Sequence, residues 1–164
     1  MGDVGSPAVT FFVLAYNQED IVGEAVRAAF AQRYQNLEIV LSDDCSRDRT
    51  YEVMRDAAGK YKGSHNVVLN RNPVNLGLVG HFNRAFEIAS ADLIIFASGD
   101  DVSTENRTDA ISRVFQGTVP PPMLIHSGVI AFSERGMERY RAPVPTAPGT
   151  LENMLTSQEN FYLG

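Results

Sequence analysis

Val9 to Ala15 is an unbroken run of apolar and β-forming residues. A run without alternation predicts a strand covered on both faces, as in a parallel sheet. Tyr16-Asn17 breaks it, and Glu19 and Asp20 suit the positive first turn of a helix. In that helix Ile21, Val22, Ala25, Val26, Ala29 and Phe30 form one apolar stripe at helical spacing. Leu37 to Leu41 predicts a second buried strand, ending in Ser42-Asp43-Asp44. Asp48 and Thr50 can cap the next helix, which carries Tyr51, Val53, Met54 and Ala57 and stops near Gly59.

Asn66 to Leu69 predicts a short third strand, followed by an Asn- and Pro-rich irregular stretch from Asn70 to Pro73. Gly77 supplies a positive φ before a helix whose inner face is expected to hold Phe82, Ala85, Phe86 and Ala89. Leu93 to Ala97 is the fourth strand, running into Ser98-Gly99-Asp100-Asp101. A further helix should turn Ala110, Ile111, Val114 and Phe115 inward. After Pro120-Pro121-Pro122, Met123 to Phe132 reads as a fifth strand region and Ser133 to Gly136 as a turn. Ala142 to Gly149 is Pro-rich loop, Thr150 can cap a short helix with Leu151, Met154 and Leu155, and Asn160 to Gly164 reads as the start of a strand. Strands alternating with helices predict an α/β domain with a mostly parallel, Rossmann-like sheet and right-handed crossovers.

Composition narrows the functional classes. A net charge of −6 argues against a nucleic-acid surface, which needs basic residues to neutralise phosphates. Cys45 is the only cysteine, so neither a disulfide framework nor a thiolate zinc site is expected. His65, His81 and His126 lack metal-ligand spacing. The Gly-rich, acidic start is no signal peptide, and no apolar run approaches the ~20 residues of a membrane span. A cytoplasmic location, free or at the inner face of the membrane, is the expectation.

In open α/β sheets ligands sit outside the carboxyl ends of the strands. Those ends carry Ala15-Tyr16-Asn17, Asp43-Asp44 and Ser98-Gly99-Asp100-Asp101. Two unit charges about 4 Å apart repel by roughly 4 kcal/mol at an effective dielectric of 20, so Asp100 and Asp101 either turn apart, take up a proton or share a cation. Mg²⁺ or Mn²⁺ held by one or two carboxylates plus substrate phosphates fits the third option. Gly99 would let the backbone approach a ligand closely. The competing reading makes Asp101 a cap for the following helix and Asp100 merely solvated. For Asp43-Asp44 the choice lies between a turn and N-cap cluster and a carboxylate that accepts the ring N–H of a base with Tyr16 stacked nearby. A pyrimidine such as uracil offers one imide N–H, which suits a lone acceptor. Tyr16 could equally be packing, and Asn17 and Glu19 ordinary helix-start residues. Cys45 reads as structural. Gly77 and Gly80 make no dinucleotide fingerprint, and no Walker-type loop occurs.

The ordered set of segments resembles family 2 of the glycosyltransferases, with the GT-A fold. It comprises Val13 to Asp20, Ala31-Gln32 before Tyr34, Asn36 to Val40, Ser42 to Thr50, Asn75-Leu76-Gly77, Phe82 to Ala85 and Ser98 to Asp101. The resemblance implies a three-layer αβα sandwich and metal-dependent, inverting transfer of a sugar from a nucleotide diphosphate, UDP foremost, to an acceptor hydroxyl, as in cell-surface polysaccharide synthesis. It further implies that Ala15, Tyr16, Asn17, Glu19 and Asp44 line the nucleoside pocket, with Gly77, Asn83, Ser98 and Gly99 also on the donor. Asp100 becomes the metal ligand of a DxD-like motif, with Asp101 beside it. Ser98 stands at that motif's first acidic position, which weakens a ribose or second metal contact. Cys45 stands where Gly or Asn is frequent, and Phe82 where Arg is.

On this reading residues 1–8 are a flexible N-terminus, 9–132 the donor-binding core and 133–164 the truncated start of an acceptor-side region. The general base is then expected beyond Gly164, and the chain by itself could bind donor without transferring. A receiver-type signalling domain is the other expectation weighed. It also gathers carboxylates at strand ends but needs a lysine after its fifth strand, which Met123 to Phe132 lacks.

Overall fold

The computed structural model describes residues 5–127, 131–133 and 136–138. The chain divides into two compact units, Met1–Pro122 and Met123–Gly164. In the first unit strands and helices alternate: β1 (Val9–Ala15), α1 (Val22–Phe30), β2 (Leu37–Asp43), α2 (Thr50–Lys60), β3 (Asn66–Arg71), α3 (Gly77–Ile88), β4 (Leu93–Ser98) and α4 (Arg107–Gly117). The four strands form one parallel sheet in the order β3-β2-β1-β4. In the second unit β5 (Ala131–Ser133) and β6 (Gly136–Glu138) pair antiparallel, with Ser133 opposite Gly136.

The uninterrupted apolar run of β1 makes it the inner strand, and every one of its residues is buried. Alternate side chains serve opposite faces. Phe12, Leu14 and Val40 pack with Ala85 of α3, flanked by Phe82, Ile88 and Phe96. Phe11, Val13, Ile39 and Leu41, fully buried, point to the other face, where α1 and α2 lie against β1 and β2. Right-handed crossovers explain this split. The chain steps outward from β1 to β3 with α1 and α2 on one face, then returns past β1 to β4 with α3 on the other. The result is the expected three-layer αβα arrangement.

Four expectations are corrected. The third helix, α3, buries His81 and Ala85 and leaves Phe86 62% exposed, because His81 finds a hydrogen-bond partner in Ser42 of β2. In α4 the buried residues are Thr108, Ile111 and Ser112, whereas Ala110 and Val114 are exposed. Gln32 and Tyr34 supply the partners that turn Thr108 and Ser112 inward. Helix α1 starts at Val22, so Glu19 and Asp20 precede its first turn and Ile21 is exposed. In the fifth strand region residues 123–127 are not strand, Ala131–Ser133 pairs antiparallel with β6, and residues 128–130 lie outside the described residues. The elements expected from Ala142 to Gly164 lie outside the described residues. At the other end, Pro7 and Ser6 accept hydrogen bonds through their carbonyls from Tyr34 and Asn36.

Gly77 has φ 68° as the first residue of α3, but Cys45 has φ 60° without being glycine. A left-handed conformation costs a β-carbon-bearing residue roughly 1–2 kcal/mol. Cys45→Gly is therefore expected to stabilise the protein by about 1 kcal/mol, a rise of ~2–4 °C in Tm for a chain of this size. Thermal unfolding checks it; a lowered Tm would mean that the 3.7 Å contact of Cys45 Sγ with the Pro73 carbonyl outweighs the strain.

Candidate functional site

The order β3-β2-β1-β4 puts the topological switch between β1 and β4, since connections leave β1 in one direction and return to its other side. A crevice at the carboxyl ends of the strands is expected there. The ends are laced together beyond the sheet. Asn72 N–H donates to the Asp43 carbonyl (2.8 Å), Asp44 N–H to that of Ala15 (2.9 Å) and Gly99 N–H to that of Leu14 (2.7 Å). The loops holding Asp44 and Asp100 thus flank the loop holding Tyr16, about 10 Å apart across two strand spacings.

After β2, Asp44 is 2% exposed and its carboxylate is heavily used. Its Oδ1 accepts from Asn72 Nδ2 (2.8 Å) and the Leu76 N–H (2.9 Å), and its Oδ2 from the Gly77 N–H (3.0 Å). It thereby satisfies donors at the start of α3, where negative charge is favoured. An ionised carboxylate has about four acceptor positions, so Asp44 retains one, on Oδ2. Asp43, fully buried, accepts from the Ser46 N–H (3.0 Å) and pairs with Arg71 (3.3 Å). Among the described residues its Oδ1 has no partner. The turn-cluster reading therefore holds for Asp43.

Asn17 and Glu19 knit the β1 loop to the β2 loop. Asn17 Oδ1 accepts from Arg47 N–H and Glu19 Oε2 from Arg49 N–H, while Asn17 N–H donates to Ser46 Oγ and Glu19 N–H to Asp48. Burial raises the Asp48 carboxyl, but the hydrogen bonds from Thr50 and Glu19 outweigh it and leave the group below its ordinary range. Neither Asn17 nor Glu19 acts as a helix-start residue. Tyr16 is 39% exposed at the end of β1, so it is not core packing.

After β4 a β-carbon on Gly99 would meet Gln18 and lie 2.9 Å from the Ala15 Cβ, so only glycine lets this loop run against the β1 loop. Ser98 Oγ donates to Asp100, which is exposed. Asp101 does not cap a helix, since α4 begins at Arg107 with Asn106 as its cap residue. Burial and the neighbouring Asp100 hold the Asp101 carboxyl above its usual range, only partly offset by the Ser98 backbone and Arg107. Arg107 lies beneath them. Its guanidinium is lowered by burial and donates to Ser103 Oγ and the Phe96 carbonyl, with Nε unpartnered among the described residues. Two crowded carboxylates offering hard oxygen donors fit Mg²⁺ or Mn²⁺ completed by phosphate oxygens and water. Among the described residues no group of three or more His, Cys, Asp or Glu is arranged around a metal position, so of these residues the two carboxylates are the ones that would hold it. Asn83 stands exposed on α3, apart from the hydrogen bonds of these loops. One depression of about 250 Å³ is lined by Pro7, Asp92 and Phe115, and another of about 340 Å³ by Arg27, Val102 and Glu105, the latter beside the loop that carries Asp100 and Asp101.

Two site-building residues, Gln32 and His81, were given no role by the sequence reading. Gln32, 3% exposed, donates to the Ala28 and Thr104 carbonyls and accepts from the backbone and hydroxyl of Thr108. It ties the end of α1 to the loop carrying Asp100 and to the start of α4. His81 Nε2 lies 2.6 Å from Ser42 Oγ, which itself accepts from Asn70. Their only signal in the sequence is that they are polar residues at positions the helical period assigns inward.

Burial lowers the His81 pKa from 6.5, with Asp44 and Asp43 pulling the other way. The unfolded chain then binds more protons than the folded one below about pH 6.5, so stability falls with acidification from that point and is undiminished above it. His81→Gln is expected to flatten this slope. Urea unfolding of both proteins at pH 7.5 and 5.5 checks it, equal slopes counting against the assignment.

A parallel sheet with strand-end acids on either side of its switch defines an α/β ligand-binding domain, and comparison with known proteins gives its family. The family model for glycosyl transferase family 2 matches residues 10–116, and the chain belongs to that family. EpsE of Bacillus subtilis (strain 168) is 28% identical over 142 residues, 87% of this chain and 50% of its own length. The UDP-Glc:alpha-D-GlcNAc-diphosphoundecaprenol beta-1,3-glucosyltransferase WfaP of Escherichia coli is 33% identical over 93 residues, 57% of this chain and 35% of its own. This chain thus spans half or less of these relatives' length. Among solved structures, S. aureus TarS superposes with a TM-score of 0.58 at 21% identity, over 67% of this chain and 20% of that one. The mannosyltransferase PcManGT from Pyrobaculum calidifontis, solved with GDP-Man and Mn2+, gives 0.55 at 24% over 59% and 28%. These likenesses bear out the GT-A fold. The receiver-type expectation falls with them, since its strand order would place β1 between β2 and β3.

Proposed function

We propose that this chain binds the nucleotide part of a sugar donor across the ends of β2, β1 and β4, as the donor side of an enzyme that transfers the sugar to an acceptor hydroxyl with inversion. Asp44 accepts the N–H of the base, and Tyr16 stacks on it from the neighbouring loop. Gly99 brings backbone close to the diphosphate, and Asp100 and Asp101 hold a divalent cation against it. That cation would supply charge stabilisation to the departing diphosphate. Asn17, Glu19 and Gln32 keep the three loops in register so that base and diphosphate are bound at once. Gly77, Asn83 and Ser98 remain candidate donor contacts on the same reading.

The observation that carries this is the placement of two acidic loops on either side of the switch strand, one of them with crowded carboxylates that no helix start explains. The name of WfaP, a UDP-Glc-dependent transferase, makes UDP the first nucleotide to try. Because the chain spans half or less of its relatives, binding without transfer is the narrower form of the proposal. Calorimetry of UDP with and without Mn²⁺ tests both. Binding should need the metal, and Asp100→Asn should weaken it by roughly 100-fold, the upper range for losing a metal's protein partner. Metal-independent binding, or an unchanged affinity in the variant, would remove Asp100 from the role.

A further inference from the structure

Asp44 is the one acidic strand-end residue whose hydrogen-bonding capacity is almost fully spent inside the protein. Two of its three hydrogen bonds come from the backbone at the start of α3, and the one side-chain donor comes from just past β3. Asn72, 2% exposed, directs its amide nitrogen at Asp44 Oδ1, and its amide oxygen accepts from Asn70 Nδ2 at 3.0 Å. That orientation follows from the chemistry, because a carboxylate only accepts and the amide must present N–H to it. Asn70 Nδ2 also donates to Ser42 Oγ, so the Ser42 hydroxyl proton is free to go to His81 Nε2. Asn70 Nδ2 thus donates both ways, to Ser42 and so toward His81 on one side, and to Asn72 and so toward Asp44 on the other.

Its consequence is arithmetic. With Asn72 and Leu76 on Oδ1 and Gly77 on Oδ2, the carboxylate retains a single acceptor position. Uracil and thymine present one imide N–H between two carbonyls, which one acceptor satisfies. Guanine presents adjacent ring N–H and amino donors, which need both carboxylate oxygens, and one of its buried donors would go unpaired. Cytosine presents no ring N–H at that edge.

We infer that Asn72 is a specificity-determining residue: by occupying Oδ1 of Asp44 it restricts the donor base to the single-imide pyrimidines and rejects guanine. Asn70 acts as a positioning residue for it. This rests on the reading of Asp44 as the base acceptor.

The test compares UDP and GDP binding by calorimetry with Mn²⁺ present, in the wild type and in Asn72→Ala. The wild type should favour UDP, and the variant, with Oδ1 opened, should narrow the UDP-to-GDP ratio by about tenfold, the effect of one hydrogen bond to a charged group. If Asn72→Ala does not fold, Asn70→Ala gives the same comparison, since it frees the Asn72 amide to swing without altering Asp44 or its backbone donors. Equal losses for both nucleotides in the variant would make Asn72 a structural residue only and overturn the inference. A wild type that binds GDP as tightly as UDP overturns it too, while leaving donor binding intact. Binding of neither nucleotide would instead sink the donor-site reading itself, and the inference with it.

Discussion

Replacing Asp44 with alanine is expected to cost about 3 kcal/mol of folding stability, since buried donors left without a partner each cost about 1–3 kcal/mol. Asn72 Nδ2 and the Leu76 N–H lose their acceptor outright, while the Gly77 N–H keeps a second one in Asn75 Oδ1. The start of α3 also loses its nearby negative charge. Against a total stability of ~5–15 kcal/mol this is a large fraction. It should appear in urea unfolding and as faster hydrogen exchange at the Leu76 and Gly77 amides. A loss under about 1 kcal/mol would show that these donors reach water readily and that Asp44 is free for other work. Asp44 is therefore the residue at which folding and the proposed binding are hardest to separate, and binding has to be measured on variants whose folding has been checked.

Gln32→Leu is expected to have an effect of similar size. Leucine fills nearly the same volume but strands the Thr108 N–H and takes a donor from the Ala28 and Thr104 carbonyls, of which Thr104 keeps the Arg107 N–H. The loss should be about 3 kcal/mol, read by thermal or urea unfolding. The damage should concentrate on the loop from Gly99 to Asn106, because Thr104 and the first turn of α4 are where the amide attaches. Metal-dependent nucleotide binding should weaken in this variant even where the protein remains folded. If stability drops and binding is untouched, the Asp100 loop is held by Gly99 and Arg107 without help from Gln32.

Much of this architecture was legible in the sequence because it rests on local pattern. The unbroken apolar runs of Val9–Ala15 and Leu37–Leu41 predicted buried parallel strands, and β1 and β2 lie in the sheet's interior. The acidic pairs after β2 and β4 stood out because polar residues at strand ends have no structural duty that periodicity assigns. Helix faces were less legible. The period of α4 fits Ala110 and Val114 inward as well as Thr108 and Ser112, and only Gln32 and Tyr34, from a different part of the chain, decide between them. His81 faces inward for the same kind of reason. A polar residue is buried where a partner meets it, and partners are distant in sequence.

The sequence by itself determined the alternation of strands and helices, the buried strands, the glycine at φ 68° where α3 starts and the presence of carboxylates where chains leave the sheet. Tertiary structure alone decided what those carboxylates do. The four helices of the parallel-sheet unit begin without a side-chain hydrogen bond from their own cap residue. Three of them are served from elsewhere in the chain instead, α2 by Glu19, α3 by Asp44 and α4 by Gln32. A hydrogen bond needs its partners within about 3 Å, and a linear pattern fixes which residues are polar but not which will meet. Asp44 became a clamp with one acceptor to spare, while Asp100 and Asp101 were left crowded together beside the switch of the sheet.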